Sequence, residues 1–421
     1  MNFETSLHFR HTGMQSVVEK TSANYDSLII SAHFAAKHPD IVSGKLSLLP
    51  DVEYYIEPRL PEYRRGDNFW DTKGKEVSQW DRALLEYYGD PLESELMSIG
   101  NLDPNLLGSS DTSSILESCC DFQEQYLERN GSEKLSHFGL DVDPQPPKAV
   151  IPWFVQVSSH DDLELTKSLC KSALEYTNLP VKPCIWVKRS FITSYENRVK
   201  IAACLDELPV SESFILIDEL DKRDTKNGHY QSAIDLIMQI SNVGVDPHFL
   251  NGDYFANLLS YFGLRGVGFG ANYSDSRSEK LESRPSGGPP PRYYLPDLKE
   301  YLDPTDVQKV GEDLQTETCQ CSFCSNRMSK WEDIHKFANE QEKLSRHHIA
   351  CRHDESKEIE SKDLETLLND LESSYETYSE SVGNMEIAAG TNHLREWPRS
   401  IRAYIENTLN DSLESYKEGY Y

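Results

Sequence analysis

The sequence predicts an α/β fold: a (β/α)8 TIM barrel followed by a zinc-binding C-terminal subdomain and a helical tail. Three observations predict it. Short apolar runs rich in β-branched and aromatic residues recur along the first part of the chain, helical stretches separate most of them, and a Pro/Gly-rich linker ends that region just before a cysteine cluster. Runs that are apolar on both faces mark parallel strands covered by helices. Eight of them match the count and span of a closed barrel. An open doubly wound sheet is the rival, but it would carry a Gly-rich phosphate turn after the first strand, and this sequence has none there.

In order, the predicted strands are Ser6–Arg10, Ser27–Ser31, Glu53–Glu57, Ala149–Val157, Cys184–Lys188, Ser213–Asp218, His248–Leu250 and Gly266–Gly270. Between them, Asp161–Thr177 opens with acids and places Leu163, Leu165, Leu169 and Leu174 near helical spacing. Ser194–Leu205 and Tyr230–Ile240 follow the same rule. Residues 62–147 are too long for an ordinary strand-to-helix loop and read as a partly helical insertion on the third connection. Ser283–Arg292 (SRPSGGPPPR) is a linker, because prolines and glycines at that density suit neither helix nor central strand. The barrel therefore takes residues 1–300, a zinc-binding subdomain 301–353, and an acidic helical extension 354–421.

Composition excludes several classes. The 421 residues carry 42 Lys+Arg against 70 Asp+Glu, a formal charge of −28, which argues against a generally polybasic nucleic-acid binder. With 38% hydrophobic residues the chain can build a core, so global disorder is excluded. No apolar run approaches the ~18 residues of a membrane span, and the N-terminus lacks a signal pattern, so a cytoplasmic, membrane-free protein is expected. Nine cysteines in so long a chain suit thiols and metal ligands better than a disulfide scaffold.

The sharpest motif is Cys319-Gln-Cys321-Ser-Phe-Cys324. Three thiolates this close can turn around one ion, and a fourth donor from a following helix would complete the tetrahedral Cys3His set that structural Zn2+ prefers. His347, His348, His335, Cys351 and His353 are all in range for that position. A four-ligand site leaves no open coordination position, so such a metal staples the module. Locally the module is cationic, with six Lys/Arg against four acids between Ser325 and His353, which suits phosphate contacts.

Two features of the strand ends bear on chemistry. Asp218 terminates an otherwise apolar run (FILI), a costly place for a charge unless it is paired or functional. Cations gather after predicted strand ends: Arg59, Arg64, Arg65, Lys188, Arg189 and Arg277, a rim that would attract a polyanion to an acidic protein. His8 and His33 read as satisfied rim histidines, Asp253 as a helix N-cap, and Asp253–Phe262 as helix core.

A Cys-x-Cys-x2-Cys motif plus a helix-borne histidine, placed directly after an eight-stranded barrel, resembles the queuine/archaeosine tRNA-guanine transglycosylases and their relatives that insert 7-deazaguanines into DNA. The stretch PHFLNGDYFANLLSYFGLRGVGFGANYSDSR (247–277) and His347-His348-Ile349-Ala350 carry that resemblance. It covers roughly residues 1–353 and implies His347 as the fourth zinc ligand. It also implies base exchange: a carboxylate attacks the ribose C1′, guanine leaves, and a 7-deazaguanine such as preQ0 or queuine takes its place, with a second acid moving the proton. The family's acid/base aspartate segment is absent, and Glu57 in Tyr55-Ile56-Glu57-Pro58 is its nearest counterpart. The family's nucleophile aligns with Ala271; Asn272 and Asp275 are the neighbouring polar groups.

The resulting expectation is a pentosyltransferase acting on DNA or tRNA, with Asp218, Glu57 and Asp275 as catalytic acids. Arg59, Lys188, Asn272 and Arg277 would bind substrate, and Cys319, Cys321, Cys324 and His347 would hold zinc. The alternatives are a non-catalytic nucleic-acid-binding subunit of the same fold and an unrelated barrel hydrolase or lyase. A homodimer and a hetero-partner both stay open.

Overall fold

The computed structural model describes residues 3–60, 77–90, 92–94, 109–137, 145–222, 227–271, 291–382 and 390–409. Eight strands, β1 Glu4–Phe9, β2 Ser27–Ser31, β3 Glu53–Glu57, β4 Gln156–Val157, β5 Cys184–Lys188, β6 Glu212–Asp218, β7 Asp246–Phe249 and β8 Gly266–Gly270, form one parallel sheet. Their order is β3-β2-β1-β8-β7-β6-β5-β4. The sheet curls. Ile29 of β2, Tyr55 of β3, Cys184 and Trp186 of β5, and Phe214 and Leu216 of β6 meet in one buried cluster, which strands this far apart in the order can do only if the sheet wraps round. At the two ends of the order, the Lys148 N–H reaches the Tyr54 carbonyl at 2.9 Å. The fold is thus a TIM-like α/β arrangement, as its apolar runs predict.

The fourth strand departs most from expectation. Ala149–Val157 contributes only Gln156–Val157 to the ladder, plus a single bridge from Val150 to Val181. Pro152 has no N–H to donate, so a continuous central strand is not available there. The side-chain amide of Gln123 compensates: it donates to the Ile151 carbonyl at 2.8 Å and accepts the Ile151 N–H at 2.9 Å. A helix residue thereby supplies the hydrogen bonds a neighbouring strand would have given.

The helices that precede the linker are α1 Gln15–Lys20, α2 Ala32–Lys37, α3 Pro39–Leu48, α4 Gln79–Tyr88, α5 Ser109–Glu124, α6 Tyr126–His137, α7 His160–Tyr176, α8 Tyr195–Asp206, α9 Asn227–Asn242 and α10 Tyr254–Leu258. In α7, Ser159 caps the start by accepting the Asp162 N–H, and Leu163, Thr166, Leu169, Cys170 and Ala173 form its buried stripe. Full burial of a leucine such as Leu169 contributes about 1.5–3 kcal/mol. Helices α5 and α6, from the long third connection, pack into the same layer: the Tyr126 hydroxyl donates to the Ala35 carbonyl at 3.0 Å, and Thr177 donates to Glu124 at 2.6 Å.

After the linker come an antiparallel hairpin, β9 Tyr293–Leu295 and β10 Glu300–Leu302, and helices α11 Pro304–Asp313, α12 Gln341–Ser361, α13 Leu364–Val382 and α14 Asn392–Tyr404. Helix α12 runs unbroken past residue 353, so the cysteine-rich module and the tail share one rod. The tail folds back on the sheet's outer layer: buried Trp397 stacks at 6.3 Å from Tyr254, and the Tyr404 hydroxyl bonds Asp235 at 3.1 Å. Among the described residues no helix is long and apolar enough to cross a membrane. None of the nine cysteines is in a disulfide.

Candidate functional site

Strand alternation decides what the curled sheet presents at its carboxyl ends. A Cβ placed on Gly268 would meet Ile29 and His8, so those positions face inward. The rings of Tyr55 and Phe214 meet across the interior at 5.2 Å. Moving outward by two residues at a time puts Arg10, Ser31, Glu57, Lys188 and Asp218 in the layer at the mouth. The structure thus places four expected residues, Glu57, Arg59, Lys188 and Asp218, at strand ends of one mouth. Asn272, Asp275 and Arg277 lie outside the described residues.

Glu57 is fully buried, with Arg59 Nη1 at 3.5 Å from its Oε2. Asp218 is 6% exposed and accepts the Gln156 side-chain amide at 3.0 Å. Gln156 is a site residue that sequence reasoning missed; its polar side chain among apolar neighbours in AVIPWFVQV was the available signal. His8 behaves as a satisfied rim histidine: Nε2 donates to the Leu250 carbonyl at 2.7 Å, which leaves Nδ1 to accept from Arg10 at 3.1 Å. His33 bonds Asp81 at 2.8 Å, and Asp253 caps α10 through the Phe255 N–H at 2.9 Å.

The backbone is strained at the same two strand ends. Arg59 has φ 62° and Glu219 φ 59°, and they stand two residues after Glu57 and one after Asp218. A non-glycine residue in this left-handed region costs roughly 1–2 kcal/mol, and such strain concentrates where geometry serves function. It is held in place by specific contacts. Arg189 donates to the Glu219 carbonyl at 2.8 Å, and the Tyr88 hydroxyl donates to the Pro58 carbonyl at 3.2 Å. The expected cationic rim is accordingly engaged in part with its own acids, through Arg59–Glu57 and Arg189–Glu219.

The opposite end of the sheet carries another charged layer: Glu4, Lys148, Lys182, Glu212 and His248. Lys182 meets Glu212 at 2.7 Å and lies over the Tyr55 and Phe214 rings, while Lys148 meets Glu4 at 3.0 Å and Glu53 at 2.7 Å. Burial pushes the His248 imidazole down to about 3, with Lys182 adding in the same direction. Burial also lowers Lys182, against the opposing pull of Glu4 and Glu212. Glu4, Glu212 and His248 come close enough together to suggest a cation site. However, each ring nitrogen faces a different carboxylate and two lysines already neutralise the acids, so the layer is a self-contained ion network.

The cysteine module gathers five donors. Cys319, Cys321, Cys351 and His347 are all buried, with donor atoms within 4.8 Å of one another. For bonds of about 2.3 Å to sulfur and about 2.0 Å to nitrogen, tetrahedral edges are about 3.8 Å for S–S and about 3.5 Å for S–N. Cys319–Cys351 is 3.8 Å, Cys351–His347 Nδ1 3.6 Å and Cys321–His347 Nδ1 3.4 Å. Cys324 is also present, at 3.2 Å from the same Nδ1 and 3.5 Å from the Tyr293 hydroxyl. His347 Nε2 donates to the Tyr294 carbonyl at 2.7 Å, which leaves Nδ1 as the lone-pair atom facing the sulfurs. This cluster could hold a metal ion. The mutually close Cys3His set is Cys319, Cys321, Cys351 and His347: two cysteines of the motif and the histidine that the resemblance implies are in it, and Cys351 stands where Cys324 was expected. The signal for Cys351 was its i,i+4 spacing from His347 on one helix face.

No family model matches the chain, and no curated protein does. Among solved structures, it is similar to the crystal structure of a HpcH/Hpal aldolase/citrate lyase family protein from Burkholderia cenocepacia J2315, at 14% identity over 64% of this chain and 88% of that chain, with a TM-score of 0.28. A superposition that loose says nothing about chemistry.

Proposed function

We propose that the chain closes into a (β/α)8 barrel and exchanges guanine in DNA or tRNA for a 7-deazaguanine, with zinc in the Cys3His cluster as a structural clasp. The observation that carries this reading is the pair of inward carboxylates, Glu57 and Asp218, at the carboxyl ends of β3 and β6, each followed closely by a left-handed residue. Asp218, oriented by Gln156, is the group to attack C1′ as the bond from C1′ to guanine breaks. Glu57 is the group to give the departing base its proton and to take one from the incoming deazapurine as that base displaces the carboxylate. Nine cysteines, none of them in a disulfide, fit a reducing, cytoplasmic setting.

The test is incorporation of labelled guanine or preQ0 into DNA and into tRNA by the folded, zinc-loaded chain. Label is expected in one of the two, and Asp218→Asn or Glu57→Gln is expected to abolish it. No label in either nucleic acid would end the enzymatic reading. A second reading, a non-catalytic nucleic-acid-binding subunit, draws on Ala271, which is buried at the end of β8 where the resembled family has its nucleophile. It would gain from salt-sensitive nucleic-acid binding that both substitutions leave unchanged.

A further inference from the structure

Helix α12 carries two donors of the metal cluster, His347 and Cys351, one turn apart. The residue after each, His348 and Arg352, is turned about 100° round the helix and reaches the carboxyl ends of β7 and β8. The buried His348 ring stands edge-on to Phe269 of β8 at 6.0 Å, is bonded to the Tyr301 hydroxyl at 2.8 Å, and hydrogen-bonds the Ala271 backbone. Arg352, 2% exposed, directs Nη2 at the Asp253 carbonyl (3.2 Å), Asn257 Oδ1 (3.4 Å) and the Gly252 carbonyl (3.5 Å), while Nη1 meets Glu355 at 3.0 Å.

Tyr294 links this guanidinium back to the cluster, through its backbone carbonyl on one side and its hydroxyl on the other. His347 Nε2 donates to the Tyr294 carbonyl, and the Tyr294 hydroxyl donates at 2.8 Å to Glu355, the carboxylate that holds Arg352. The segment that Arg352 grips is tightly fitted. A Cβ on Gly252 would lie 2.7 Å from Ala256 and 2.8 Å from Val267, and the Gly252 N–H bonds the Gly268 carbonyl at 2.9 Å. With Ile217, Leu220, Phe249 and Phe255, residues 251–253 line a small cleft at the ends of β6 and β7, and Ile217 directly precedes Asp218. A buried guanidinium shared among such acceptors fixes their positions closely, because any displacement strands a charge in a low-dielectric interior.

We propose that Arg352 is a positioning residue through which occupancy of the Cys3His cluster sets this wall, so that the metal centre shapes the β6–β7 side of the mouth as well as stapling its own module. The proposal rests on the cluster binding an ion and does not depend on base exchange. It is tested on the full chain by amide hydrogen exchange and metal analysis, with zinc bound, after chelation, and after zinc is restored. In the native chain, chelation is expected to speed exchange in residues 250–258 by roughly tenfold or more, and zinc to reverse it. Arg352→Ala is expected to keep one zinc per chain yet show fast exchange at 250–258 from the start, with chelation adding change only in the cysteine module. Arg352→Lys, which keeps the charge and cannot span the acceptors, should fall between and covers the case in which alanine unfolds the chain. Protected residues 250–258 after chelation, or in zinc-loaded Arg352→Ala, would overturn the proposal. So would a chain that binds no zinc, an outcome that metal analysis separates from the other two.

Discussion

The two ends of the curled sheet use buried charge in opposite ways. At the amino-terminal floor, Glu4, Glu212, Lys148 and Lys182 neutralise one another across strands, and none of the left-handed non-glycine residues lies among them. At the mouth, the same strands β3 and β6 end in Glu57 and Asp218, and the backbone beyond each enters the left-handed region. A floor that is neutral and unstrained stabilises the fold. A mouth that keeps strain gives up stability for geometry, as expected of a site.

That contrast can be broken most directly at Lys182. Replacing it with alanine removes the 2.7 Å partner of the partly exposed Glu212 and empties the buried space over the Tyr55 and Phe214 rings, and is expected to cost roughly 2–4 kcal/mol in denaturant unfolding. A loss under 1 kcal/mol would remove the floor's structural role. The next largest effect is in acid. His248 and His393, both held at about 3 by burial, bind protons more readily unfolded, at their ordinary value of 6.5. Their contribution is therefore complete above pH 6.5 and drains away as pH falls from 6.5 towards 3, amounting to a few kcal/mol. His248→Gln should flatten that part of the stability–pH curve. At the mouth, Asp218→Asn keeps size and the Gln156 contact with a re-oriented amide, so unfolding free energy should move by about 1 kcal/mol or less. The smallest effect sharpens the comparison: Glu219→Gly relieves the φ of 59° and should stabilise by about 1 kcal/mol, less the little its half-exposed pairing with Arg189 contributes. No gain would mean that the strain is not stored there.

The legibility of the fold followed the regularity of its signals. β2, β3, β5 and β8 begin and end where their apolar runs do, because strands buried on both faces end where the chain turns polar or leaves the sheet. The fourth strand failed for a local reason, Pro152, and its repair by Gln123 from a separate helix has no signature in the strand's own residues. At the Cys/His cluster, the clustered cysteines identified Cys319 and Cys321, whereas Cys351 became distinguishable from His335 and His353 only once α12 turned it toward the sulfurs. His335 instead bonds Gln308 at 2.7 Å.

Taken alone, the sequence determined the eight strands of the parallel sheet, the thiol-rich module and the acids that end β3 and β6, since periodicity and residue chemistry are local properties. Only the tertiary structure decided which charges cancel, which residues are strained, and that the helix bearing His347 and Cys351 grips the ends of β7 and β8. Those outcomes depend on how the sheet curls and where α12 lands on it, and residues about a hundred positions apart, such as Gly252 and Arg352, meet for no reason visible in either neighbourhood.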